Sequence, residues 1–283
     1  MYYTIYENAT HFKEETFPML LKNEAANNLL VGNILRLEKS PIEGRLMATV
    51  KDEAGNILVI AVHTPPFNLC LYTPTKAKAQ EALQFLAKTL YEKKISIPGV
   101  IGEDETVETF SLFYCTYTRQ LSKIIMRLNA YKLTTVNAYQ AIKGSLECAT
   151  LDALSYLPYW QEHFIKECHL PPSSFDTIVK SIETSLENER FYIWKDNHPV
   201  SMVGKGRQLK NGIVISNVYT PPYFRNQHYA TACVGTISQR LLDEGHDFVA
   251  LFADRDNPIS NKMYEAIGYQ LVGYTKQIHF TKN

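Results

Sequence analysis

The chain has no surplus of either charge. Lys+Arg and Asp+Glu both total 29, and the formal net charge is zero. A general nucleic-acid binder carries a basic excess, and neither half of the chain has one. Long hydrophobic runs are missing too. The longest, 57–62, is far below the roughly 20 apolar residues that a membrane helix needs. The start, Met1-Tyr-Tyr-Thr-Ile-Tyr-Glu-Asn8, has no basic stretch followed by an apolar core, so no secretory leader is expected. Cysteine is scarce. Cys70, Cys115, Cys148, Cys168 and Cys233 are odd in number, widely spaced and without a C-x-x-C, which argues against a disulfide framework or structural zinc. The simplest expectation is a soluble, cytoplasmic protein with reduced thiols, no nucleic-acid partner and no membrane partner.

Several catalytic signatures are also absent. There is no G-x-S-x-G, no H-E-x-x-H and no Walker lysine loop, and Gly204-Lys-Gly206 lacks the third glycine of a dinucleotide loop. His163, Cys168 and His169 lie close in sequence. Cys168 and His169 are adjacent, however, and cannot share a helix face with His163, so no metal site is expected.

What is present is a chain of 283 residues, enough for about two domains at roughly 150 residues each. Its 45% hydrophobic content suffices for a core in each half, and tyrosine, at 18, is in excess. In the first half, apolar spacing predicts helix within 15–38, strands at 45–50, 57–63 and 68–73, and a helix over 76–93 capped by Thr75. Another helix near 106–118 and a strand within 121–137 follow. In the second half the pattern restarts around 141–145. A strand at 146–150 leads to a helix from Asp152 towards His169. A second helix starts at Ser173 or Ser174, and strands follow at 190–195, 199–207 and 212–220. A helix over 229–244 ends at Gly245. A strand at 248–253, a helix opened by Asn257-Pro258, and one or two strands over 269–280 complete the chain. This order predicts an α/β (α+β) protein with a mixed, mostly antiparallel sheet and one parallel crossover. A ligand can enter where the parallel strands splay. Ile60-Ala-Val-His-Thr-Pro-Pro66 echoes Ser216-Asn-Val-Tyr-Thr-Pro-Pro222, which leaves duplication and coincidence both open.

Two segments carry chemistry. In 218–232 a strand runs into a loop with two prolines and Arg225, and then into an amphipathic helix. Free N–H groups at such a helix start suit a phosphate, and Arg225 could add a charge-assisted contact. In 252–269 a strand leads to Asn257, and Asn261 and Tyr264 follow three apart on one helix face. Each segment alone also reads as an ordinary turn or cap.

Together they resemble the GNAT N-acetyltransferase superfamily. Arg225-Asn-Gln-His-Tyr-Ala230 is similar to its pyrophosphate loop, Arg/Gln-x-x-Gly-x-Gly/Ala, with His228 in place of the central glycine. Asn257, Asn261, Tyr264 and Gly268-Tyr269 match its later segment, and the element order fits from Leu146 to Phe280. The first half, with His63-Thr-Pro-Pro66 and Ile97-Pro-Gly-Val100, looks like the degenerate domain of bacterial two-domain acetyltransferases. Asn68-Leu-Cys-Leu-Tyr72 stands where a cofactor loop would follow Pro66.

The resemblance implies tandem GNAT-like domains, 1–140 without a cofactor loop and 141–283 catalytic. It implies acetyl-CoA as cosubstrate and a small-molecule or protein amine as acceptor. The cofactor would lie on Asn217, Val218, Tyr219 and Thr220, then on Arg225, Asn226, Gln227, His228, Tyr229, Ala230 and Thr231, with Asn257 and Asn261 beyond. Tyr264 would be the general acid, and no general base is evident. A catalytically silent acyl-CoA-binding module and a donor other than acetyl-CoA are the alternative expectations.

Overall fold

The computed structural model describes residues 1–282. The chain packs as two compact units, Met1–Ala130 together with the last stretch from Val272, and Tyr131–Leu271. Sequence reading expected the division at 140/141. The packing divides the chain after Ala130 and gives the end of the chain to the first unit.

Secondary structure opens with β1 (Tyr2–Ile5), α1 (Ala9–Leu20) and α2 (Asn28–Lys39). Then come β2 (Leu46–Lys51), β3 (Ile57–His63), β4 (Leu69–Tyr72), α3 (Ala79–Glu92), β5 (Gly99–Glu103), α4 (Asp104–Thr118) and β6 (Gln120–Leu133). The second series is β7 (Ser145–Cys148), a 3-10 turn (Leu151–Ser155), α5 (Leu157–Glu167), α6 (Phe175–Glu187), β8 (Phe191–Asp196), β9 (His198–Gln208) and β10 (Gly212–Tyr219). It ends with α7 (Tyr229–Asp243), β11 (Phe248–Asp254), α8 (Pro258–Ile267) and β12 (Gln270–Lys282). Most expected elements appear within a few residues. The sequence reading did not anticipate β1 and β5.

In the first unit the strands run β1-β2-β3-β4-β5-β12. All neighbours are antiparallel except β4 and β5. Ala82, Leu83, Leu86, Ala87 and Leu90 of α3 form the buried stripe expected from helical spacing, and pack with Val59, Ala61, Leu69, Leu71 and Phe110. β5 was hidden by its glycines, which read as a turn. A Cβ on Gly99 would meet the Ile278 carbonyl at 2.2 Å, and one on Gly102 would meet the Leu71 carbonyl at 2.4 Å. These glycines allow neighbouring backbones to come close.

In the second unit the order is β6-β11-β10-β9-β8-β7, with β6 entering through its end from Tyr131. β7, β8, β9 and β10 pair antiparallel in turn, and β10 and β11 pair parallel. Helices cover both faces. Strand alternation sends Tyr192 and Trp194 of β8 towards α7, where Cys233, Val234, Ile237 and Leu241 are buried. Phe191 and Ile193 point to the other face, against Leu157 of α5 and Ile178, Ile182 and Leu186 of α6. Burial on two faces explains the nearly continuous apolar strands.

The topology corrects the Thr-Pro-Pro echo. Thr64-Pro-Pro66 follows β3, whereas Thr220-Pro-Pro222 follows β10. The counterpart of β10 is β4, because each is the strand that enters the parallel crossover. The echo in register is therefore Tyr72-Thr73-Pro74 with Tyr219-Thr220-Pro221. It follows that Asn68–Tyr72 does not replace a cofactor loop. Residues 69–72 are the strand β4 itself.

His63 closes β3 with 5% exposure and, among the described residues, no partner for its Nε2. Burial lowers its pKa, against a smaller opposing effect of a hydrogen bond to the Phe67 backbone carbonyl. Above the unfolded value of about 6.5 both states are neutral and nothing is lost. As pH falls below that value, the unfolded chain takes up the proton first and stability declines. We expect thermal stability to drop between pH 7 and 5.5, and His63→Phe to retain more of it. An unchanged acid sensitivity in H63F would contradict this.

Candidate functional site

The parallel pair of the second unit opens along its length. β10 and β11 are in register only at Gly212–Val214 with Phe248–Ala250. Beyond that, among the described residues, β10 has no registered partner on the β11 side. On its other side β10 slips against β9, with Ser216 opposite Gly204 but Tyr219 opposite Met202. Three steps on β10 thus match two on β9, a bulge. Asn217 absorbs it in the left-handed region, with φ 52°. The bulge re-aims the backbone at Asn217 and Val218, inside the gap between the strands.

After Tyr219 the chain turns through Thr220 and a short 3-10 turn at Pro222–Phe224, and reaches Arg225. The Arg225 N–H is used by the Pro222 carbonyl. The next six N–H groups, of Asn226, Gln227, His228, Tyr229, Ala230 and Thr231, have no acceptor among the described residues. The first helical bond runs from the Ala232 N–H to the His228 carbonyl. Asn226 and His228 are both left-handed, with φ 61° and 60°. His228 adopts the angle that its position requires, and its exposed side chain leaves the turn clear. Successive free N–H groups at a helix start form a concave seat for a diphosphate. Tyr229 is held from outside by its hydroxyl, which donates to Asp196 at 2.7 Å.

Arg225 does not face an open seat. Its Nη2 donates to both carboxylate oxygens of Glu167, at 2.7 and 2.8 Å, and its Nε donates to the Thr220 carbonyl at 2.9 Å. The Thr220 hydroxyl meets Ser201 at 2.9 Å.

Across the gap, Asp254 ends β11 and the chain enters α8. Asn257 is its cap, accepting from the Ser260 N–H. Asn261 is nearly buried and fully committed. Its Nδ2 donates to the carbonyls of Asp254 and Asn257 at 2.8 and 2.7 Å, and its Oδ1 accepts from the Tyr131 hydroxyl at 3.1 Å. Tyr264, one turn on, is 7% exposed and packs against the rings of Tyr131 and Tyr269. Its hydroxyl has no hydrogen-bond partner among the described residues. Burial raises its pKa well above the ordinary phenol value, with smaller contributions from Cys168 and Tyr131, so the phenol stays protonated. Burial, then Asp254 and Glu167, pushes the Cys168 thiol up to about 11, so it is no nucleophile near neutrality.

The sequence reading missed α5 as part of this surface. Trp160, His163 and Glu167 lie at i, i+3 and i+7, on one helix face. The Trp160 ring lies 6.4 Å from the Tyr219 ring, and His163 Nδ1 is 3.4 Å from the Tyr219 hydroxyl. No motif marks these residues. The only available signal was their spacing on an amphipathic helix. His163, Cys168 and His169 form no metal cluster, and no group of three metal-ligating side chains occurs among the described residues.

The first unit repeats the frame but closes it. Lys78 precedes α3 in the left-handed region, with φ 57°, as His228 precedes α7. The loop before it is shorter by three residues, 73–78 against 220–228. β4 and β5 stay paired to Leu71 and Gly102, close to the end of β4. The hydroxyls of Thr73 and Thr106 then meet at 2.9 Å. Lys76 is tied to Glu103 and Glu105 at 3.0 and 2.7 Å. No gap opens between these strands.

Residues 195–278 match the FR47-like protein family, which is GNAT-related. No curated protein matches the chain in sequence. Among solved structures, a GNAT-family acetyltransferase from Colwellia psychrerythraea superposes with a TM-score of 0.59 at 10% identity, covering 99% of this chain and 100% of that one. A GCN5-related N-acetyltransferase from Sphaerobacter thermophilus gives 0.62 at 12%, covering 99% and 95%. A tandem GNAT protein from the clavulanic acid biosynthesis pathway gives 0.53 at 9%, covering 99% and 98%. The chain therefore has the tandem GNAT fold. No helix among the described residues is long and apolar enough to cross a membrane.

The Asn261 amide tests this geometry. Asn261→Ala removes three nearly buried hydrogen bonds, two that tie α8 to β11 and β6 and one to its own cap, Asn257. We expect a loss of about 1–3 kcal/mol of stability, visible as a lowered thermal midpoint. An unchanged midpoint would show that these bonds do not hold α8 in place.

Proposed function

We propose that the second unit is an acyl-CoA-dependent N-acyltransferase, with acetyl-CoA as donor and a primary amine as acceptor. The observation that carries this reading is the run of six free N–H groups, 226–231, at the start of α7, next to the strand pair that parts after Val214 and Ala250. The N–H groups receive the diphosphate, whose charge also meets the positive end of α7. The unpaired edge of β10 at Asn217, Val218 and Tyr219 offers main-chain donors and acceptors to the amide groups of the pantetheine arm. The thioester supplies an activated acyl carbon. The N–H near Val218, turned by the bulge, polarises its carbonyl. As the amine attacks and the C–S bond breaks, Tyr264 gives its proton to the departing sulfur. Asp254, on the opposite lip of the gap, is the carboxylate we assign to take the proton that the amine loses.

In this reading Asn257 and Asn261 act indirectly, by fixing the start of α8 and so the position of Tyr264. Residues 1–140 serve as the unit without a cofactor loop, in keeping with the closed β4–β5 pair. Five free cysteines suit a reducing cytoplasm.

Calorimetry with acetyl-CoA is expected to give one site per chain, and Ala230→Trp, which fills the seat, is expected to abolish binding. Tyr264→Phe is expected to keep the affinity and to lower turnover at least about tenfold, measured as thiol release across an amine panel. Wild-type affinity in A230W would contradict the seat. Unchanged turnover in Y264F would remove Tyr264 from the acid role. Binding without turnover on any amine would favour a silent acyl-CoA-binding module.

A further inference from the structure

Arg225 is engaged through its Nε and Nη2. Its guanidinium holds Glu167 through both carboxylate oxygens, holds the Thr220 carbonyl, and lies 5.7 Å from the Tyr219 ring centroid. Glu167 is the last residue of α5, and Thr220 is the first residue after β10. The pair therefore fastens α5 to the exit of β10, and the free N–H groups begin at the very next residue, Asn226. A carboxylate thus occupies the one arginine of a loop shaped for a doubly charged phosphate group.

The pair is open to exchange. Its side chains are 41% and 47% exposed. Ion pairs at that exposure are weakly held and screened by salt. A diphosphate seated on the adjacent N–H groups offers Arg225 more charge and more acceptor oxygens than one carboxylate. The other two contacts of this α5 face, Trp160 and His163 with the Tyr219 ring and hydroxyl, do not involve Arg225. Releasing Glu167 loosens only the C-terminal end of α5, while the helix stays seated through those contacts.

We propose that Glu167 is a positioning residue that competes with the cofactor for Arg225. Without cofactor it latches the end of α5 onto the loop. When the diphosphate binds, Arg225 turns to it and the end of α5 is freed from the exit of β10. This inference rests on the acyl-CoA reading of the loop. Glu167 opposes cofactor binding.

The test uses the whole chain and CoA as probe, at low salt. Glu167→Gln is expected to bind CoA about three- to tenfold tighter than wild type, as is Glu167→Ala, which cannot hold Arg225 through a side-chain oxygen. In an Arg225→Ala background the same Glu167 changes are expected to give no gain. Amide hydrogen exchange over 166–170 is expected to speed up on adding CoA to wild type, and to be fast with or without CoA in E167Q. A merely structural Glu167 would not couple to Arg225 in this way. Unchanged or weaker CoA binding by both Glu167 variants overturns the proposal while leaving the loop assignment standing. Failure of the wild-type chain to bind CoA overturns the loop assignment and this proposal together.

Discussion

The candidate site depends on one constraint, the early end of pairing between two parallel strands. β10 and β11 share a ladder only as far as Val214 and Ala250. A sheet that stops pairing in its middle leaves backbone donors and acceptors without partners, which is costly unless water or a ligand takes them. Here the bulge at Asn217 interrupts the ladder with β9 as well, before pairing resumes at Tyr219, and the following loop adds six more free N–H groups in sequence. α7 starts after the free N–H groups, α8 carries Tyr264, and α5 packs against Tyr219 at the exit of β10.

The first unit shows what the same frame does when that constraint is absent. Its parallel pair is joined to within one residue of the strand ends, a hydroxyl pair continues the closure, and the loop before the helix is three residues shorter. Even the left-handed residue before the helix is retained, at Lys78. A shared topology therefore does not make a site. The difference lies in a few residues of strand pairing and loop length.

Much of this was legible in the sequence, because the second half follows simple rules. Helical stripes, strand alternation on two covered faces, the Asn257-Pro258 start and the Gly268 stop are all local signals. The segment at 225–230 was legible because a loop that exposes N–H groups tolerates few residue types. Long-range choices were not legible. Nothing local tells β12 to pair with β5, so the division of the chain was expected at 140 and found after Ala130. The glycines of β5 looked like a turn, when they permit close approach to Leu71 and Ile278. The Thr-Pro-Pro echo misled because it matched letters across strands that differ in topology. Arg225 was read as a free cation because its partner, Glu167, lies 58 residues away in sequence.

The most direct measurement of the central claim is a backbone amide NMR titration of the whole chain with CoA. The account predicts that the amides of 226–231 and 217–219 shift together and saturate at one equivalent, while those of the counterpart loop, 73–78, stay in place. Shifts centred on 73–78, or none at 226–231 at saturating CoA, would contradict it.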